Sequence, residues 1–96
     1  MSKVVVMDFM AEWCGPCKMQ DHIMEKLKEK FKDDIGVEFK KIDVDEDVDG
    51  GFKLVDKYSI HAVPTLVVEK DEKFFSKFVG VTKLETLERK IKEALE

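Results

Sequence analysis

The stretch Trp13-Cys14-Gly15-Pro16-Cys17 contains the only two cysteines of the chain. If a helix begins at Cys14, Cys17 lies just under one turn later on nearly the same face, and the two sulfurs can approach to bonding distance. Pro16 suits a first helical turn, where its missing N–H removes no internal hydrogen bond. The apolar run before this stretch indicates a buried strand. A strand followed by a turn and a helix that begins at a dithiol is the context in which C-x-x-C indicates a redox site.

Length and composition predict one domain, residues 1–96, with a net charge of -4 and 40% charged residues. This balance argues against nucleic-acid binding and against binding to anionic membranes. The N-terminal apolar run is short, is interrupted by Asp8 and shows no cleavage pattern, and no segment approaches membrane-spanning length. We therefore expect a cytoplasmic protein, in which a lone cysteine pair is more often catalytic or metal-binding than a structural disulfide.

Hydrophobic periodicity predicts an α/β protein with the element order βαβαββα. The predicted strands are residues 3–10, 37–44, 65–69 and 74–79. The predicted helices run from Cys14 to about Asp34, around Phe52 to Tyr58, and after Thr82, where Thr82-Lys83-Leu84-Glu85 has the spacing of a capping box. A parallel first βαβ unit and an antiparallel final hairpin give a four-stranded mixed sheet with helices on both faces.

One acidic segment has the spacing of a calcium-binding loop. It runs Asp45-Glu46-Asp47-Val48-Asp49-Gly50, with Asp56 six residues later. However, a strand precedes the segment where an entering helix is required, and Asp56 is shorter than the usual glutamate. We interpret the segment as a solvated acidic turn, and His61 as a solvated loop histidine.

Several separated segments resemble the thioredoxin family and occur in the family's order. They are Met7-Asp8-Phe9, Ala11 to Met19, Lys57-Tyr58, Val63-Pro64-Thr65-Leu66 and Phe78-Val79-Gly80. The resemblance covers nearly the whole chain and implies a thioredoxin fold with protein-disulfide reductase activity. The chain differs in having Met10 where a second tryptophan is usual and His22 where a proline is usual. We expect the compact layout of glutaredoxins and short archaeal thioredoxins, without the strand and helix that typical thioredoxins have before the position of Lys3.

Cys14 is the expected nucleophile because a helix N-terminus stabilises a thiolate, by about 0.3–2 kcal/mol. The thiolate attacks a substrate disulfide, and Cys17 then resolves the mixed disulfide. Asp8 lies among apolar residues, so burial should raise its pKa. The resemblance implies that Asp8 helps to deprotonate Cys17 through water, and that Lys41 on the neighbouring strand interacts with the Asp8 carboxylate. A purely structural Asp8–Lys41 pair is the alternative.

The resemblance also implies a cis peptide bond before Pro64, facing the cysteines. The backbone of Val63 would then pair with an extended substrate peptide. The expected substrate groove is lined by Trp13, Gly15, Pro16, Ala62, Val63 and Gly80.

Two other functions stay open at this point. A glutaredoxin-like reductase using glutathione or another small thiol fits the short chain, but Ala62 and the single Gly80 argue against it. A non-enzymatic metal-binding module would need four zinc ligands, and only His22 and His61 could join the cysteines. We expect no metal and no cofactor beyond the redox-active disulfide. The expected partners of the monomer are client proteins with disulfides and a thioredoxin-reductase-type electron donor.

Overall fold

Strand β1 (Val4–Met10) lies inside the sheet, and all of its residues except Met10 are buried. The structure is a computed structural model that describes residues 2–96. The other elements are α1 (Gly15–Lys30), β2 (Val37–Asp43), α2 (Gly51–Lys57), β3 (Thr65–Lys70), β4 (Lys73–Val79) and α3 (Leu84–Leu95). The predicted order βαβαββα is confirmed. Helix α1 ends at Lys30, earlier than expected, because the backbone of Phe31 leaves the helical conformation, with φ -113° and ψ 15°.

The four strands form one mixed sheet in the order β2-β1-β3-β4. Strand β1 pairs with β2 in parallel and with β3 antiparallel, and β3 pairs antiparallel with β4. The register places Asp8 opposite Lys41 on β2 and opposite Leu66 on β3. The predicted mixed sheet is therefore confirmed, and Asp8 lies on an interior strand of it.

Helices cover both faces of the sheet, as predicted. Helices α1 and α3 pack on one face, where Leu27 and Ile91 join Val4 and Val6 in a buried cluster. Helix α2 and the residues after it cover the other face, where Tyr58 packs in a second cluster. Since side chains alternate along a strand, Asp8 lies on the α1 side with Val4 and Val6.

The predicted capping box at Thr82 is wrong. Helix α3 has Lys83 at its N-cap position and no side-chain cap. Thr82 instead donates its backbone N–H to Gln20 Oε1 at 2.7 Å and its hydroxyl to the Gly80 carbonyl at 3.0 Å. The tertiary contact with Gln20 therefore fixes Thr82 outside the helix.

The β3–β4 turn is made without glycine. Asp71 and Glu72 adopt positive φ values of 52° and 69°. Lys3 and Asp71 are joined by two hydrogen bonds, from the Asp71 N–H to the Lys3 carbonyl at 2.7 Å and from the Lys3 N–H to Asp71 Oδ1 at 2.8 Å. These bonds hold the turn against the start of the chain. Across residues 2–96, no helix is both long enough and apolar enough to cross a membrane.

Candidate active site

Cys14 occupies the N-cap position of α1, where its backbone is extended. Its sulfur accepts the backbone N–H of Cys17 at 3.2 Å. The two cysteines form a disulfide, with their Cα atoms 5.3 Å apart. Gly15 and Pro16 are exposed in the first turn between them. The predicted cysteine pair at a helix start is thus present, here as a disulfide, and a helix N–H points at the Cys14 sulfur.

The loop before β3 packs against this disulfide. The carbonyl oxygen of Val63 lies 3.7 Å from the Cys14 sulfur. The Val63–Pro64 peptide bond is cis, as the resemblance implied. Pro64 is fully buried, and its carbonyl accepts the backbone N–H of Gly80 at 2.8 Å. Gly80 has φ +90°, in the left-handed region that favours glycine.

A shallow apolar depression of about 150 Å³ adjoins the disulfide. It is lined by Trp13, Val44, Ile60, His61, Ala62 and Val63, and is called the Trp13 depression below. Three predicted groove residues therefore line it, whereas Gly15, Pro16 and Gly80 do not. Trp13 is 72% exposed, and its indole Nε1–H donates to Asp45 Oδ2 at 2.7 Å. His61 is exposed, as expected, but also lines the depression.

Asp8 is the buried carboxylate of the site. It is 4% exposed, and within residues 2–96 its Oδ1 atom has no hydrogen-bond partner. The pKa of Asp8 is raised to about 6, chiefly by burial and also by the charge of Asp21, while the charges of Lys41 and Lys28 oppose the rise. The expected direction of this pKa shift is confirmed, and burial outweighs the lysines.

Lys41 interacts with Asp8 electrostatically, as expected, because its charge lowers the pKa of Asp8, but the alternative of a direct Asp8–Lys41 pair is wrong. The Lys41 ammonium pairs with Asp21 Oδ2 at 3.1 Å and not with Asp8. Both partners of this pair reach water, with side chains 51% and 37% exposed for Lys41 and Asp21. An ammonium is strongly hydrated, so a pair at the surface costs less than one beside the buried Asp8. Lys41 therefore affects the pKa of Asp8 only through the electrostatic effect of its charge, without a direct ion pair.

Sequence reasoning did not predict three of the residues near the site. Asp21 and Gln20 are polar positions in a helix rich in polar residues, so nothing in the spacing marks them. Asp45 belongs to the acidic segment, and only the fold brings it to Trp13. In the described chain, no group of three or more His, Cys, Asp or Glu side chains could hold a metal ion. The acidic segment is exposed, and Asp47 Oδ1 accepts the Phe52 N–H at 3.1 Å.

Comparisons with known proteins identify the family. The thioredoxin family profile matches residues 1–93. Thioredoxin H2 of Arabidopsis thaliana is 38% identical over 90 residues, which cover 94% of this chain and 62% of that protein. The thioredoxin of Bacillus subtilis is 37% identical over 92 residues, covering 96% of this chain and 83% of that protein.

A solved structure agrees with these relatives. A mutant thioredoxin from Halobacterium salinarum superposes with a TM-score of 0.82 at 35% identity, covering 98% of this chain and 76% of that one. The fold and site thus define a thioredoxin-fold protein with a cysteine pair at a helix start. The chain belongs to the thioredoxin family. It spans 62% of the length of the Arabidopsis relative and 53% of Thioredoxin Y2 from the same plant.

Proposed function

We propose that this protein is a thiol-disulfide oxidoreductase that reduces protein disulfides through Cys14 and Cys17. The observation that carries the proposal is the disulfide at the start of α1, with the Cys14 sulfur accepting a helix N–H. The same N–H would stabilise a Cys14 thiolate in the reduced protein. Membership of the thioredoxin family supports this activity.

The reaction has two exchange steps. The Cys14 thiolate attacks one sulfur of the substrate disulfide, and the other substrate sulfur leaves as a thiolate and takes a proton. Cys17 then loses its proton and attacks the Cys14 sulfur. The Cys14–Cys17 bond forms as the bond from Cys14 to the substrate breaks. The two electrons of the dithiol are thereby transferred to the substrate, and the oxidised state described above results.

Asp8 is proposed to accept the Cys17 proton. Its carboxylate lies on the sheet face that α1 covers, and its pKa of about 6 leaves it mainly ionised at neutral pH while allowing it to bind a proton. A proton acceptor near the resolving thiol accelerates the second step, because the thiolate is the attacking species. Lys41 is proposed to influence this acid only electrostatically.

The Trp13 depression is proposed to bind the substrate chain. Its apolar lining and the adjacent Val63 carbonyl suit an extended peptide beside the disulfide. We further propose a cytoplasmic monomer that is recharged by a thioredoxin-reductase-type donor and acts on client proteins. No cofactor or metal enters this scheme.

Single cysteine variants test the proposal. Cys14→Ser should abolish reduction of insulin disulfides with a dithiol as electron source, because the attacking thiolate is lost. Cys17→Ser should still attack disulfides and stall as a mixed disulfide, which mass spectrometry of the trapped adducts would detect. The double variant Cys14→Ser/Cys17→Ser is the matched control and should trap nothing.

Three outcomes would contradict this scheme. Equal alkylation rates of the two thiols at neutral pH would remove the distinction between nucleophile and resolving cysteine. A strict requirement for glutathione would indicate the glutaredoxin-like function. Tight stoichiometric zinc binding by the reduced protein would indicate the metal-binding module.

A further inference from the structure

A cavity of about 110 Å³ lies between α1 and β2 and reaches the buried Asp8. It is called the Asp8 cavity. The charged groups that line it with Asp8 are Asp21, Glu25 and Lys28 from α1 and Lys40 and Lys41 from β2. Its volume is ample for water, which needs about 10–15 Å³ of such space. The Asp8 carboxylate, whose Oδ1 atom has no hydrogen-bond partner among residues 2–96, therefore has a polar route towards solvent.

Asp21 lines the Asp8 cavity one helical turn beyond Cys17. Residues 17 and 21 are four apart on α1, so the Asp21 side chain lies one turn beyond Cys17 on the same side of the helix. Asp21 also binds the Lys41 ammonium at 3.1 Å. The register sets Lys41 directly beside Asp8 on the neighbouring strand. The lysine that could pair with Asp8 is thus bound by another carboxylate.

We propose that Asp21 is a positioning residue for the Cys17 step, because it binds Lys41 and so prevents the ammonium from pairing with Asp8. The proposal rests on the proposed function and adds a residue to it. With Lys41 held at the surface, Asp8 keeps its affinity for the proton that Cys17 must lose. That proton leaves the Cys17 thiol for the Asp8 carboxylate and then passes to solvent through the Asp8 cavity. Asp21 itself touches neither the substrate nor the sulfurs.

The neighbouring charges determine whether the proton affinity of Asp8 rises or falls. The negative charge of Asp21 favours the protonated form of Asp8, while Lys41 and Lys28 favour the ionised form. Asp21→Asn removes the negative charge and also frees Lys41 to approach Asp8. Both changes lower the proton affinity of Asp8, so the carboxylate becomes a weaker acceptor for the Cys17 proton. Lys41→Met acts in the opposite direction.

The test follows Asp8 by carbon-detected NMR titration of its carboxyl group in the oxidised protein, in which the cysteines do not titrate. Asp21→Asn should move the midpoint down by about one pH unit. The matched control is Glu25→Gln, which removes the same charge from the same helix and the same cavity. Glu25 makes no ion pair with Lys41 in the described structure, so this variant should move the midpoint less. In a Lys41→Met background, Asp21→Asn should have a clearly smaller effect, since the two residues are coupled.

In Asp21→Asn, the acidic limb of the pH–rate profile for resolving a mixed disulfide should shift to lower pH by the same amount as the Asp8 midpoint. A midpoint that is unchanged, that rises, or that moves no more than in Glu25→Gln overturns the proposal. The full shift in the Lys41→Met background overturns it too, because Asp21 would then act without Lys41. The titration needs no substrate, so a protein that reduces no disulfide at any pH would overturn the proposed function while the NMR result still decides what Asp21 does to Asp8.

Discussion

Asp8 is the residue at which stability and activity oppose each other. Its carboxylate is 4% exposed among apolar neighbours, and burial raises its pKa to about 6 from an ordinary 3.8. The folded protein therefore binds this proton more tightly than the unfolded chain does. Above pH 6 the folded state carries a buried charge that the unfolded chain hydrates freely, so Asp8 destabilises the fold there. As pH falls through the folded pKa, stability rises, and the gain is complete below about pH 4.

Asp8→Ala should consequently stabilise the oxidised protein at pH 7 by about 1–3 kcal/mol, and the advantage should disappear near pH 4. The same variant should slow resolution of the mixed disulfide by Cys17, because the proton acceptor is lost. Urea unfolding at both pH values and single-turnover kinetics measure the two effects. Asp33→Ala, at an exposed carboxylate, is the control and should change neither. A less stable and fully active Asp8→Ala protein would mean that Asp8 has a structural role only.

Helix α1 combines the redox site with a structural link to α3. Gln20 is fully buried, and its amide binds Thr82 twice, accepting the Thr82 N–H at 2.7 Å and donating to the Thr82 carbonyl at 3.2 Å. These two bonds join α1 to the segment before α3. The bonds satisfy the buried backbone N–H and carbonyl of Thr82, which lies between β4 and α3 and belongs to neither.

Gln20→Leu should destabilise the protein by about 1–3 kcal/mol, because the buried Thr82 N–H and carbonyl lose their partner while the volume stays similar. Denaturant unfolding at constant pH measures the change. His22→Leu makes a comparable apolar replacement at an exposed position of the same helix and should have little effect. Equal stability of the two variants would show that the Gln20–Thr82 bonds contribute nothing net.

At the scale of the whole molecule, charge dominates the surface. The net charge is -4 and 40% of the residues are charged, while many of the apolar residues are buried in three clusters. Two copies of the chain carry the same net negative charge, and their repulsion disfavours self-association. The exposed Trp13 lines a depression beside the disulfide that is formed by six residues, whereas a stable interface takes about 20–30 residues from each partner.

We therefore expect a monomer in both redox states. Sedimentation equilibrium at low and high salt should give a mass near 11.1 kDa. If self-association appeared only in salt, Trp13→Ala would test whether the Trp13 depression forms the contact. A mass near twice that value at low salt would contradict the expectation.

Local patterns in the sequence predicted the element order and the redox pair. An apolar strand, a proline in the first helical turn and two cysteines three residues apart specify their geometry over a few residues, so no distant contact is needed to predict them. The buried carboxylate at Asp8 was also predictable, because a charged residue in an apolar strand must be desolvated if the strand lies inside the sheet. The cis bond before Pro64 followed from family resemblance and not from the local pattern.

Only the tertiary structure decided which distant groups meet. Lys41 was expected at Asp8, yet α1 brings Asp21 within 3.1 Å of its ammonium, and the surface pair costs less desolvation. Thr82 was expected to cap a helix, yet the Gln20 amide binds its N–H instead. Asp45 reaches Trp13 across 32 residues of chain. Side-chain pairing depends on the packing of separate elements, and sequence spacing carries no information about such distances. Hence the sequence determined the dithiol and the strand that holds Asp8, and the packing of α1 on β2 determined the electrostatic environment in which Asp8 binds its proton.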